Sequence, residues 1–243
     1  MNKNHQINPS RLALPSATIQ TEDGIDHYNN PHPRCPVALL LDTSSSMQGR
    51  AIEELQSGLQ AFFAALAKDE LASLRIDLTC YTFGGFVQQV VPFGATVDGL
   101  ASRPPRLTAN GGTPLGEAVR TAISAINARR QVYRECALAA YRPWVVIMSD
   151  GQPNDPGWES AADQLHQFAQ SGWNVLCIGL GGDQAQLAIL QRFAVHPAKL
   201  LSQTDIGAFF AWLSDSLKTN SHSHTAANTC AGLPSVLPSI PKL

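Results

Sequence analysis

Val37-Ala38-Leu39-Leu40-Leu41-Asp42-Thr43-Ser44-Ser45-Ser46 sets five apolar residues, without a break, against an acid and a run of hydroxyls. A strand that is apolar on both faces belongs in the middle of a parallel sheet, with helices covering either side. Trp144-Val145-Val146-Ile147-Met148 repeats the pattern and runs into Ser149-Asp150-Gly151. Around these two strands, helix and strand signals alternate. Ile52, Leu55, Leu59, Phe62, Phe63 and Leu66 recur at helical spacing and predict a helix over about 50–68. Residues 75–83 alternate as a strand, and Gly84-Gly85 makes a hairpin turn into 86–93, an antiparallel edge strand. A further helix opens at Gly111-Gly112-Thr113-Pro114, with Pro114 in its first turn, where proline is tolerated. Residues 129–142 either prolong that helix or form a basic loop. A helix over 159–170, a strand over 174–180, a helix over 184–193, a short strand at 199–201 and a last helix over 205–217 complete the series. The alternation predicts an α/β fold: a doubly wound, mostly parallel sheet with one antiparallel edge strand and helices on both faces.

In open sheets of this class, ligands sit outside the carboxyl ends of the strands, where the strand order reverses. Asp42 and Asp150 both stand at such ends. If their strands are neighbours astride the reversal, the two acids converge, although far apart in sequence. Positions 42, 44 and 46 alternate, so all three can turn toward one point, and Thr113 approaches from a glycine-rich loop. Two carboxylates and three hydroxyls are hard oxygen donors, suited to Mg²⁺ or Mn²⁺, with Ca²⁺ as a third choice, and poorly suited to a soft metal. An ion with so few anionic ligands keeps positive charge, and its waters can give way to a carboxylate from outside.

The three pieces Asp42-x-Ser44-x-Ser46, Thr113 and Asp150-Gly151 resemble the pattern of von Willebrand factor A (VWA) domains with a metal-ion-dependent adhesion site. The resemblance covers roughly residues 36 to 217 and includes the order of elements. It implies a three-layer Rossmann-like fold in which Ser44, Ser46 and Thr113 contact the ion and Asp42 and Asp150 act largely through waters. It also implies a protein-binding module rather than an enzyme, whose partner supplies an Asp or Glu to the metal. Gln48, Gly49, Asn154 and Asp155 are the expected rim that selects the partner. More narrowly, Leu41 to Met47, Gly111 to Gly116 and Ser149 to Pro153 look like bacterial VWA proteins of the tellurite-resistance-associated group. That likeness implies a cytoplasmic stress-response or defence protein working beside kinase- or phosphatase-like operon neighbours.

The domain plan expected from composition is an irregular arm over 1–34, a VWA domain over 35–217 and a Ser/His/Pro-rich tail over 218–243. A formal net charge of -2 gives no attraction for nucleic acid or a membrane surface, and the N-terminus lacks the apolar stretch of a signal peptide. Five cysteines without framework spacing favour a reducing compartment, with Cys80 and Cys177 as buried free thiols. Several competing readings are open. Ser44 and Ser46 could cap a helix, with Asp150-Gly151 an ordinary turn. A hydrolase could use a metal-activated water. His27, His32 and Cys35, or His222, His224 and Cys230, could bind zinc, although neither trio has finger spacing. Arg129, Arg130, Arg134 and Arg142 form a basic cluster, read mainly as a solvated helix end. Trp158 is an interface anchor if exposed and core if buried.

Overall fold

The computed structural model describes residues 30–181 and 184–222. Six strands form one sheet: β1 (Cys35–Asp42), β2 (Ile76–Gly84), β3 (Phe86–Val91), β4 (Trp144–Ser149), β5 (Asn174–Leu180) and β6 (Lys199–Leu201). Their order is β3-β2-β1-β4-β5-β6, and every pairing is parallel except β2 with β3. The chain therefore builds outward from β1 first to one side and then to the other. The reversal lies between β1 and β4, where Leu41 pairs with Met148.

Alternate residues of β1 feed two cores. Val37, Leu39 and Leu41 face α1 (Arg50–Ala67), α3 (Val97–Ser102) and α7 (Ile206–His222), where Leu55, Leu59, Phe62, Phe209, Phe210 and Leu213 are buried. Ala38 and Leu40 face the other layer, α4 (Leu115–Glu135), α5 (Trp158–Gln170) and α6 (Gln184–Gln191), with Val119, Ile123, Leu165 and Phe193. Both faces of the strand are dry, which is why its sequence never alternates. The expected α/β sandwich with one antiparallel edge strand is the observed one.

The differences are local. Two short helices, α2 (Glu70–Arg75) and α3, have no strong periodicity; each is started by a side chain, Asp69 accepting from Ala72 N at 2.9 Å and Thr96 from Gly99 N at 3.2 Å. The region 129–142 prolongs α4 to Glu135. Arg129 is not at a solvated helix end but buried, donating to Asp77 at 2.6 Å, and Tyr133 donates to the same carboxylate at 2.6 Å. An acid on β2 thus recruits one member of the basic run. The last helix continues past Leu217 to His222 because its end is held: Arg75 donates to Ser221 O, and the His222 ring lies 3.1 Å from both Asp69 oxygens. Asn220 reaches Cys35, the first residue of β1, at 3.8 Å.

Cys35, Cys80, Cys136 and Cys177 are free thiols, with Cys80 and Cys177 buried as read from their apolar strands. Most of the arm and tail, including His27, His224 and Cys230, lies outside the described residues. Among the described residues no helix is long and apolar enough to cross a membrane.

Candidate metal-binding site

The site stands where β1 and β4 end side by side. Asp42 is fully buried; Ser44 N donates to its Oδ1 at 2.8 Å and Ser149 Oγ to its Oδ2 at 2.5 Å. The chain then makes one 3₁₀ turn over Ser45–Met47 before α1. Neither serine caps a helix: Gly49 occupies the N-cap of α1, and Ser44, ahead of the 3₁₀ turn, makes no side-chain cap bond. Instead Ser44 Oγ lies 3.0 Å from Ser46 Oγ, which donates to Asp150 Oδ1 at 2.7 Å. The two hydroxyls and the second acid form one chain of hydrogen bonds across the β1–β4 junction.

Thr113 arrives from the loop before α4 and is buried. A methyl group built on Gly151 would lie 3.0 Å from Thr113 Oγ1 and 3.9 Å from Asp42 Oδ2, so both oxygens stand around Gly151. All five residues expected to meet at one point therefore belong to one cluster. The glycine loop is pinned at several points. Ser45 N donates to Gly111 O at 2.9 Å, Gly85 N to Gly112 O at 2.8 Å, and Asn110 N to Thr43 O at 2.7 Å.

Of the expected rim, Gln48 and Gly49 are exposed beside the serines. Asn154 and Asp155 hold the site together. Asn154 and Thr113 bond reciprocally, Thr113 N to Asn154 Oδ1 at 3.0 Å and Asn154 N to Thr113 O at 3.1 Å. Asp155 accepts from Gly116 N at 3.0 Å and Glu117 N at 2.9 Å, and pairs with Arg120 at 3.2 Å. The N-cap of α4 is Pro114, which makes no side-chain cap bond, so an acid from the Asp150 loop satisfies the helix's first amides. Asp155→Ala is expected to lower stability by about 1–2 kcal/mol, the worth of a lost N-cap. A shift in the denaturation midpoint at unchanged slope would measure it. Ser149 and the Asn154 and Asp155 contacts went unread in the sequence; the only signal was their position directly around Asp150.

Electrostatically the site is a concentration of acid without a counter-charge. Burial pushes Asp42 up to about 6, against the pull of the Ser149 and Ser44 hydrogen bonds. Burial also raises Asp150, partly offset by Ser46. Among the described residues no Lys or Arg forms an ion pair with either acid. Two acids held together by hydroxyl donors alone are what a hard cation would relieve, and the donor set fits Mg²⁺, Mn²⁺ or Ca²⁺. Among the described residues no group of three or more His, Cys, Asp or Glu side chains is placed to hold a metal ion. Trp158, flanking the site, is partly buried against Phe193, ring centroids 6.1 Å apart, with Arg192 above it at 5.2 Å.

The family model for the von Willebrand factor type A domain matches residues 37–211. No curated protein sequence matches the chain. Among solved structures, it is similar to the vWF domain of the type V pili tip protein Mfa5 from Porphyromonas gingivalis, with TM-score 0.63 at 13% identity over 80% of this chain and 98% of that one. It is similar to manganese-loaded Plasmodium vivax TRAP protein, with TM-score 0.54 at 22% identity over 72% and 71%. Proximal thread matrix protein 1 from the mussel byssus, with a zinc-occupied MIDAS motif, gives TM-score 0.52 at 16% identity over 76% and 48%. This chain spans about half the length of that mussel protein.

Proposed function

Because this chain belongs to the von Willebrand factor type A domain family, we propose that it is a non-enzymatic module that binds a protein partner through a divalent cation. Ser44, Ser46 and Thr113 would hold the ion directly, with Asp42 and Asp150 behind waters. When bound, the ion supplies a positive centre with an exchangeable position, which an Asp or Glu of the partner fills. The observation that carries this reading is the cluster of two uncompensated acids and three hydroxyls at the β1–β4 reversal. The residues divide the work. Ser149 and Ser44 N orient Asp42, Ser46 ties Asp150 to the serine loop, and Asn154 fixes the Thr113 backbone. With those positions set in advance, little ordering cost falls on binding.

Mg²⁺ is the proposed resident ion. The manganese of the Plasmodium vivax protein and the zinc of the mussel protein support a divalent cation without choosing among them. The narrower setting is a cytoplasmic stress-response or defence protein of the tellurite-resistance-associated group, with kinase- or phosphatase-like partners. It is supported by the three loop sequences alone, since the similar structures named above include pilus and byssus proteins.

A tagged pull-down from the native host tests the reading. The partner should be retained by wild type in Mg²⁺ and lost both in EDTA and with Ser44→Ala. A partner retained under all three conditions would place the interface away from the metal and make the chain a structural subunit.

A further inference from the structure

A groove of about 210 Å³ lies over β2 and β3, with Thr82 and Gly84 of β2 among its lining. Phe86, Gln88 and Val90, every second residue of β3, form one wall, and Arg106 belongs to the opposite wall, an extended segment running to Asn110. Thr43 and Asn110 also line it, and Thr43 stands between Asp42 and Ser44 in the chain. None of the five proposed ligands lines the groove; it neighbours the site through Thr43. The Arg106 wall is fixed to α1, where Gln56 accepts from Leu107 N at 2.7 Å and donates to Pro105 O at 3.0 Å.

Three features say what fits there. β3 is the outermost strand, with one edge of its backbone facing away from β2. Proteins usually guard such an edge with charge or proline, yet Phe86–Val91 contains neither. Phe86 is 62% exposed, and only Val195 joins it as an exposed large hydrophobic among the described residues. Arg106 is exposed and has no ion-pair partner among the described residues. A strand edge without charge or proline can pair with another extended backbone, and an exposed cation near an acid-accepting site favours acidic side chains.

The geometry points to a partner that binds as an extended acidic segment. One Asp or Glu enters the metal site, the segment then crosses the β2–β3 turn and pairs along the outer edge of β3, and a second acidic side chain meets Arg106 while an apolar one covers Phe86. A strand paired to β3 presents alternate side chains to the face that Phe86, Gln88 and Val90 share. This inference rests on the metal-dependent binding proposed above.

The test uses a phage-displayed library of random peptides, selected on the Mn²⁺-loaded full chain and eluted with EDTA. Mn²⁺ affinity is titrated first for wild type, Arg106→Glu and Phe86→Ser, both exposed positions outside the metal cluster. Enriched peptides should carry two acidic residues a few positions apart. They should bind Arg106→Glu at least about tenfold more weakly and Phe86→Ser several-fold more weakly, at unchanged Mn²⁺ affinity. Backbone amides of β3 should exchange more slowly when peptide is bound. The docking proposal is overturned if a Mn²⁺-binding chain enriches no peptide, if the peptides bind both variants like wild type, or if protection falls elsewhere. A chain that takes up no Mn²⁺ fails earlier, in the metal titration, and takes the docking proposal with the metal reading.

Discussion

Asp42→Asn is expected to make the metal-free chain more stable while weakening its divalent-cation binding about 10- to 100-fold. Burial lifts the Asp42 carboxyl from 3.8 to about 6. For an acid whose folded value is raised, its contribution to stability is fully present below the unfolded value, near pH 4. It fades between the two values and is lost once pH exceeds about 6. The gap corresponds to about 3 kcal/mol of strain at neutral and alkaline pH. Asparagine keeps the shape: its oxygen accepts from Ser44 N, and its amide faces Ser149 Oγ, which can accept in turn. The metal-free variant should therefore resist denaturant by about 1–3 kcal/mol more than wild type at pH 8, and by nothing at pH 4. Added Mg²⁺ should stabilise wild type and leave the variant nearly unmoved. A variant weaker than wild type at pH 8 without metal would show that the buried charge is compensated after all.

Gly111→Ala should damage fold and site together. Gly111 has φ +70°, where an L side chain is strained, and a Cβ there would fall 2.5 Å from Gly85 Cα. The obstacle is backbone, so neither loop can yield by turning a side chain. The left-handed conformation and the overlap together should cost about 2–4 kcal/mol. The same clash parts the Gly111 loop from the β2–β3 turn, moving Thr113 away from Asp42 and Asp150. Urea denaturation would give the stability loss. A Mg²⁺ titration of the surviving folded fraction would show whether affinity falls with it; unchanged stability and affinity would mean that the two turns separate without consequence.

The layer architecture was legible because β1 and β4 are apolar on both faces and α1 carries an unbroken apolar stripe. α2 and α3 were not, since each is only a turn and a half long and depends on one capping side chain rather than on a pattern. Arg129 was misread because its burial depends on Asp77, which lies on β2 and is distant in sequence, and on Tyr133. The five residues of the proposed metal site were legible as motifs, and their meeting at the β1–β4 reversal follows from strand order. What spacing could not convey is the support around them. Ser149, Asn154 and Asp155 are ordinary polar residues in sequence, and only the folded loops reveal which backbone amides they satisfy.

The chain enters β1 and finishes α7 at the end of the sheet remote from Asp42 and Asp150, with Asn220 against Cys35. A pull on a captured partner, resisted by the rest of the chain, would run lengthwise through β1 and β4. Both are interior strands, and β1 is bonded along its length to neighbours on either side. Tension in that direction loads the inter-strand bonds in shear, so that many must break at once rather than one after another. The same placement that gathers two acids at a strand reversal thus sets the proposed site and the end of α7 at opposite ends of one interior strand.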